Sequence, residues 1–270
     1  MRVKLLGTGA AEGLPGLFCC CSTCKEARRR GGKDLRSRCT ALIDDVIKID
    51  LPPDTLHHVL AQGLDMTQVR YLLITHSHDD HYAPLELQYA SWMFAAEPPP
   101  TIRILAPEHI GRKARQTLDL DTLPLAVETL LPWVAVRLER WVVTPVPAFH
   151  MEEDLCFNYI VEDDERSVLY ATDTGWYPDE TWDRLAGRHL SGLVVECTKG
   201  FEEGGYERHL SIPQVVAMRR QMIESGALAP DARVVTTHHS HMAGMLHADL
   251  ERALTPHGIE VGYDGFVFCV

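Results

Sequence analysis

Thr75-His76-Ser77-His78-Asp79-Asp80-His81 puts three imidazoles beside two carboxylates in one short segment. Imidazole and carboxylate are the ligand set of zinc and related divalent ions. Alternation along an extended segment sends His76 and His78 to one side. A turn after them returns Asp80 and His81 to the same cavity. Three more candidates stand apart in the chain: His150 in Pro147-Ala148-Phe149-His150, Asp173 in Ala171-Thr172-Asp173-Thr174-Gly175, and His238 in Val235-Thr236-Thr237-His238. His76, Asp173 and His238 each come directly after an apolar run, where a strand can hold a side chain rigidly. His239 competes with His238, and alternation would turn the two in opposite directions. The chemistry open to such a set is that of water and anions on divalent metal ions.

A second ligand cluster lies in Phe18-Cys19-Cys20-Cys21-Ser22-Thr23-Cys24. Cys19, Cys21 and Cys24 form Cys-x-Cys-x-x-Cys, whose second half has the spacing that brings two thiolates onto one zinc ion. A tetrahedral site needs a fourth ligand, and His241 is the natural candidate, three residues past His238. Cys20 can replace a neighbouring cysteine on spacing alone. The expectation is one structural zinc in a knuckle loop at about 18–38. Cys39, Cys156, Cys197 and Cys269 read as ordinary core cysteines, which commonly pack as small apolar side chains.

These residues need elements to position them. Short apolar runs of strand type occupy 3–6, 40–49, 71–75, 102–105, 141–146, 157–161, 168–172, 193–196, 234–237 and 266–269. Helical patterns occupy 54–63, 85–96, 107–118, 212–225 and 248–254. Ser211 caps one of these helices ahead of an early proline, and Gly226 stops it. Strands with helices interspersed in both halves predict a layered α/β fold. Hydrophobic residues make up 46% of the 270, enough for a sizeable core in one domain. The formal net charge of −12 disfavours long polynucleotides, whose phosphates attract basic surfaces. The basic stretch at 25–38 reads for the most part as a solvated loop, with one or two cations free to meet a phosphate. The opening segment has neither the apolar stretch nor the cleavage site of a secretion signal. No run has the ~20 apolar residues of a membrane span. A cytoplasmic protein is expected.

His-x-His-x-Asp-His after an apolar strand resembles the signature of the metallo-β-lactamase superfamily, and Leu6-Gly7-Thr8-Gly9-Ala10 resembles the first hairpin of its fold. The resemblance implies a four-layer αββα sandwich over 1–270 and a dinuclear site. In that site His76, His78 and His150 hold one metal, Asp80, His81 and His238 hold the other, and Asp173 bridges them; zinc and manganese both suit. The cysteine cluster, His209-Leu210-Ser211 and the late His238-x-x-His241 are similar, more narrowly, to the phosphodiesterase of the bacterial carbon–phosphorus lyase pathway and its relatives. That implies hydrolysis of a small, cyclic phosphodiester by a hydroxide shared between two ions. The catalytic residues are then Asp80 and His209, the latter as proton donor to the leaving group. Asp79 is read as a neighbour that orients a ligand imidazole or assists proton transfer.

The resemblance leaves rival readings: an endonuclease processing tRNA 3′ ends, a thiolester or lactone hydrolase, or a non-catalytic protein of cofactor biosynthesis. The expected partner is a small phosphorylated substrate, with no long nucleic acid and no membrane. The apolar stretch at 85–100, with Tyr89, Trp92, Met93 and Phe94, reads as core packing, a pocket wall or the surface of a homodimer.

Overall fold

A computed structural model describes residues 1–202 and 204–270. The strands in chain order are β1 (Arg2–Gly7), β2 (Thr40–Ile43), β3 (Ile47–Ile49), β4 (Tyr71–Leu73), β5 (Ile102–Ala106), β6 (Leu125–Thr129), β7 (Val136–Leu138), β8 (Trp141–Pro147), β9 (Phe157–Glu162), β10 (Ser167–Ala171), β11 (Leu190–Glu196), β12 (Leu228–Thr237), β13 (Glu260–Val261) and β14 (Phe266–Cys269). They form two seven-stranded sheets, ordered β14-β1-β2-β3-β4-β5-β6 and β13-β12-β11-β10-β9-β8-β7. In each sheet antiparallel strands give way to parallel ones: β3 to β6 in the first, β10 to β13 in the second.

The helices are α1 (Ser22–Arg30), α2 (Thr55–Gln62), α3 (Glu108–Thr117), α4 (Asp179–Leu185), α5 (Ile212–Glu224) and α6 (His247–Leu254). Three apolar layers hold the whole together. Val3, Ile49, Leu73, Phe157, Tyr159 and Tyr170 meet between the sheets. Leu72, Ile104 and Ile110 pack α3 on the outer face of the first sheet. Leu169, Leu193, Trp182, Met218 and Leu250 pack α4, α5 and α6 on the second. The result is the four-layer αββα sandwich the resemblance implies. Ser211 and Gln214 form a capping box at the start of α5, as its Ser and early Pro predict.

Several elements differ from the sequence expectation. The run at 40–49 is a hairpin, not one strand, because Asp44 and Asp45 adopt left-handed φ of 49° and 61° and turn the chain. The expected helix at 85–96 is a 3₁₀ helix at Pro84–Ala90 followed by turns. The prolines at 98–100 bar a regular continuation. Of its apolar side chains Leu87 is buried, while Leu85, Tyr89, Trp92, Met93 and Phe94 face solvent. The stretch at 18–38 is not a plain loop: it contains α1, and Arg36 is buried, donating to Thr8 Oγ1 and Gly262 O at 2.7 Å each. Cys39, Cys156 and Cys197 are buried as expected of core cysteines, but Cys269, on an edge strand, is exposed. Among the described residues no helix is long and apolar enough to cross a membrane.

Candidate metal centre

The parallel strands all end on one rim, and the polar residues that follow them converge there. Thr75 and His76 follow β4, Asp50 follows β3, Asp173 follows β10, and His238 follows β12; Glu196 ends β11. Asp50, Asp173 and His238 have left-handed φ of 64°, 47° and 55°. Such backbone is costly for residues with a Cβ and clusters where a side chain must be aimed. The two sheets are tied beside the motif: Phe157 N donates to Thr75 O at 2.9 Å and Tyr159 Oη to Ile74 O at 2.6 Å. Asn158 Nδ2 donates to Thr172 O at 2.6 Å and fixes the turn that carries Asp173.

The predicted dinuclear set is brought together. His76 Nε2 lies 3.0 Å and His150 Nε2 3.2 Å from His78 Nδ1. His81 Nε2 lies 3.1 Å from Asp80 Oδ2 and 3.0 Å from Asp173 Oδ2. His238 Nε2 is 3.2 Å from Asp173 Oδ2, and His150 Nε2 is 3.6 Å from Asp173 Oδ1. Asp173 thus presents one oxygen to each histidine group.

The donor chemistry of these residues fits bound divalent metal. In most of these rings the nitrogen facing away from the centre is already bonded. His76 Nδ1 contacts Thr75 Oγ1 at 2.9 Å, His81 Nδ1 Asp50 Oδ2 at 2.7 Å, and His238 Nδ1 Thr198 Oγ1 at 2.8 Å. His150 Nδ1 points to Arg208 O at 3.4 Å. If those nitrogens carry the protons, lone pairs are left aimed at one another across the centre. Buried His81 Nε2 and His238 Nε2 have no well-aligned hydrogen-bond partner among the described residues. Burial pushes His76 well below its usual pKa, so it is a neutral donor. Burial would depress His81 too, yet Asp173, Asp80 and Asp50 hold it well above its usual value. That excess of negative potential is what a bound cation neutralises.

Two carboxylates that sequence reasoning left unassigned shape the centre. Asp50, fully buried, accepts from Thr75 N at 2.8 Å as well as from His81 Nδ1. Such a partner fixes ring orientation and raises ligand basicity. Asp50→Ala is expected to weaken metal affinity about 10–100-fold, measured by competition with a chelating dye. Glu196, also fully buried, accepts from Thr174 N at 2.8 Å, Leu210 N at 3.0 Å and His209 Nδ1 at 2.8 Å. Gly175 permits this meeting, since a Cβ there would stand 2.1 Å from Glu207 O. The sequence signal for both was a lone acidic residue closing an apolar strand.

His209 and Asp80 both line a cavity of about 220 Å³ with His78, His150, Asp173 and His238. Burial would lower the His209 pKa, but the Glu196 carboxylate raises it to about 9. Asp79 is elsewhere: its side chain points to solvent and pairs with Lys113 Nζ at 3.1 Å, too far out to orient a ligand. His239 is buried away from the centre, its peptide bonded to Thr8 and Ala10.

The cysteine cluster also closes. Ligand atoms of Cys19, Cys21, Cys24 and His241 lie within 4.8 Å of one another, with His241 Nδ1 at 3.7 Å from both Cys19 Sγ and Cys21 Sγ. Cys20 is exposed and outside this group. Cys21 caps α1, and the Cys24 N–H lowers its pKa to about 6, which favours the thiolate that zinc requires. Cys24→Ala is expected to destabilise the fold by about 3 kcal/mol or more, roughly 6–12 °C in Tm by calorimetry.

The beta-lactamase superfamily domain matches residues 42–254. Among solved structures, a diphosphatase of the PhnP family is similar over 100% of this chain and 97% of its own, with 22% identity and a TM-score of 0.78. Zinc-bound PqqB from Methylobacterium extorquens matches over 100% of both chains at 16% identity and a TM-score of 0.77. The short form of human tRNase Z covers 100% of this chain and 99% of its own at 18% identity and a TM-score of 0.67. At such identities the likeness is one of fold. An octanoyltransferase of Porphyromonas gingivalis is 36% identical over 90 residues, which is 32% of this chain; the chain spans 17% of the length of that curated relative.

Proposed function

The chain belongs to the beta-lactamase superfamily, and from that membership we propose that it is a dinuclear metal-dependent hydrolase of small phosphodiesters, cyclic ones first. His76, His78 and His150 would hold one divalent ion, Asp80, His81 and His238 the other, and Asp173 both. Zinc or manganese suits this nitrogen and oxygen set. Cys19, Cys21, Cys24 and His241 would hold a structural zinc. Ions bound there would supply Lewis acidity, the chemistry that activates water near neutral pH and offsets charge on phosphoryl oxygens.

The chain's own residues do the rest. Glu196 holds the His209 ring by Nδ1, leaving Nε2 to give a proton to the departing oxygen. Asp50 and Thr198 keep His81 and His238 in one tautomer and orientation. The observation that carries the reading is the Glu196–His209 pair at the edge of the metal centre. An alkoxide leaving from phosphorus needs such a proton, whereas the thiolate of a thiolester leaves without one. The small cavity, about 220 Å³, and the net charge of −12 favour a compact substrate over RNA.

The test is a parallel assay of metal-quantified protein on 2′,3′-cyclic nucleotides, bis(p-nitrophenyl) phosphate, precursor tRNA, a lactone and a thiolester. The cyclic phosphodiesters are expected to give the highest kcat/KM. Inertness to every phosphodiester alongside turnover of the lactone or thiolester overturns the assignment, and cleavage of precursor tRNA above all others replaces it.

A further inference from the structure

One acidic side chain in the cavity has no part in the chemistry described above. Glu12 lies in the loop after β1 and lines the same space as His78, Asp80, His209 and His238. The loop around it is clamped on both sides. Ala10 N donates to His239 O at 3.1 Å, and Leu14 and Arg36 exchange backbone bonds at 2.9 and 2.7 Å. The side chain is aimed as well: Ser240 Oγ donates to Oε1 at 2.5 Å, and His241 Nε2 lies 3.6 Å from the same oxygen. Oε2 accepts no hydrogen bond among the described residues, and the side chain keeps 33% exposure.

A fixed carboxylate on the wall of a site that receives a phosphate is a repulsive element unless the ligand brings it a donor. Carboxylates accept and never donate while ionised. A site that fixes such an acceptor rewards a ligand hydroxyl and penalises its absence, because the bound ligand shields the half-buried carboxylate from water and must then supply the donor itself. A second phosphate on that side would meet like charge.

Resting on the phosphodiesterase reading, we propose that Glu12 determines specificity by accepting a hydrogen bond from a hydroxyl on the non-reacting part of the substrate. Ser240 and His241 set its position, so one short loop, 238–241, supplies a ligand to each metal site and the support for this acceptor.

A matched pair of substrates tests it. Glycerol 1,2-cyclic phosphate carries one hydroxyl beside the ring; propane-1,2-diol cyclic phosphate has hydrogen in its place. The intact protein is expected to prefer the first about 10–100-fold in kcat/KM. In Glu12→Ala that ratio should fall below about 3, with Glu12→Gln between. Calorimetric binding of the two ring-opened phosphate monoesters should show the same hydroxyl preference, lost in the same order. Zinc content and Tm, read on each variant, separate recognition from mere support of His241. Three outcomes overturn the proposal. One is intact protein that cleaves both rings equally, and another is a Glu12→Ala variant that loses zinc and slows on both rings in equal proportion. The third, intact protein that cleaves neither ring nor any cyclic nucleotide, also removes the phosphodiesterase reading, so the two failures are told apart.

Discussion

Asp173→Asn is expected to lower kcat/KM on a cyclic phosphodiester by about 10³–10⁵ and to leave the purified protein short of metal at the proposed dinuclear site. The two oxygens of this carboxylate face different histidine sets. Its Oδ2 is 3.0 Å from His81 Nε2 and 3.2 Å from His238 Nε2, while Oδ1 is 3.6 Å from His150 Nε2. Asparagine keeps the shape and tolerates the left-handed φ of 47° at this position, so the turn survives the change. What disappears is one full negative charge, itself buried, at the point where the two cations of the proposed site would approach each other. Several kcal/mol of charge stabilisation translate into the stated rate loss. Elemental analysis and kcat/KM are to be measured on the same preparation, with Tm as the control for folding. An Asp173→Asn protein that retains both ions and more than a tenth of the rate would sink the bridging assignment.

The legibility of this centre in the sequence follows from where each residue's partner lies. His76, His78, Asp80 and His81 announce themselves because they are neighbours in the chain, and no packing need explains so many ligands in seven positions. His150, Asp173 and His238 are readable more weakly, through their order along the chain and the strands before them. Asp50 and Glu196 occupy the same kind of position, yet a lone carboxylate after a strand is ordinary. Only the imidazole that each one meets, 31 residues away for Asp50 and 13 for Glu196, marks it as part of the centre. Glu12 is hidden for the same reason, since its partner Ser240 is 228 residues distant. The layered architecture was legible because β4, β9 and β10 are buried on both faces and read as apolar runs. β6 has no fully buried residue and β7 only one, so neither carries that signal in the sequence. α1 was missed because its polar, basic sequence has no apolar stripe; its start is set by the Cys21 cap. The misreading of 85–96 runs the other way. An apolar period suggested a packed helix, but here most of those side chains face outward, and periodicity alone does not say whether a face finds a partner.

His209→Ala is expected to slow an alkyl cyclic phosphodiester about 10²–10⁴-fold while metal content stays at the level of the intact protein. The loss should shrink to less than about 10-fold on bis(p-nitrophenyl) phosphate, whose leaving group departs without protonation. That contrast separates a proton donor from a residue that only shapes the cavity, which would slow both substrates alike. Glu196 gives a second, independent reading of the same role. Burial alone depresses the His209 imidazole; the Glu196 carboxylate at 2.8 Å overrides it and raises the pKa to about 9. A raised value means the imidazolium is present through neutral pH and is lost as pH climbs past it, so acid-dependent turnover should fall on the alkaline side. Glu196→Gln keeps a hydrogen-bond acceptor but removes the charge. Burial then prevails, and the alkaline limb of kcat/KM should move to lower pH. Cations bound beside the ring push it in the same direction in both proteins, so the difference between the two profiles still reports the carboxylate. The effect should be absent with bis(p-nitrophenyl) phosphate, because no proton donation limits that reaction. If the alkaline limb stays where it is in Glu196→Gln on the alkyl substrate, the titrating group is not His209, and its assignment as the proton donor fails even if His209→Ala is slow.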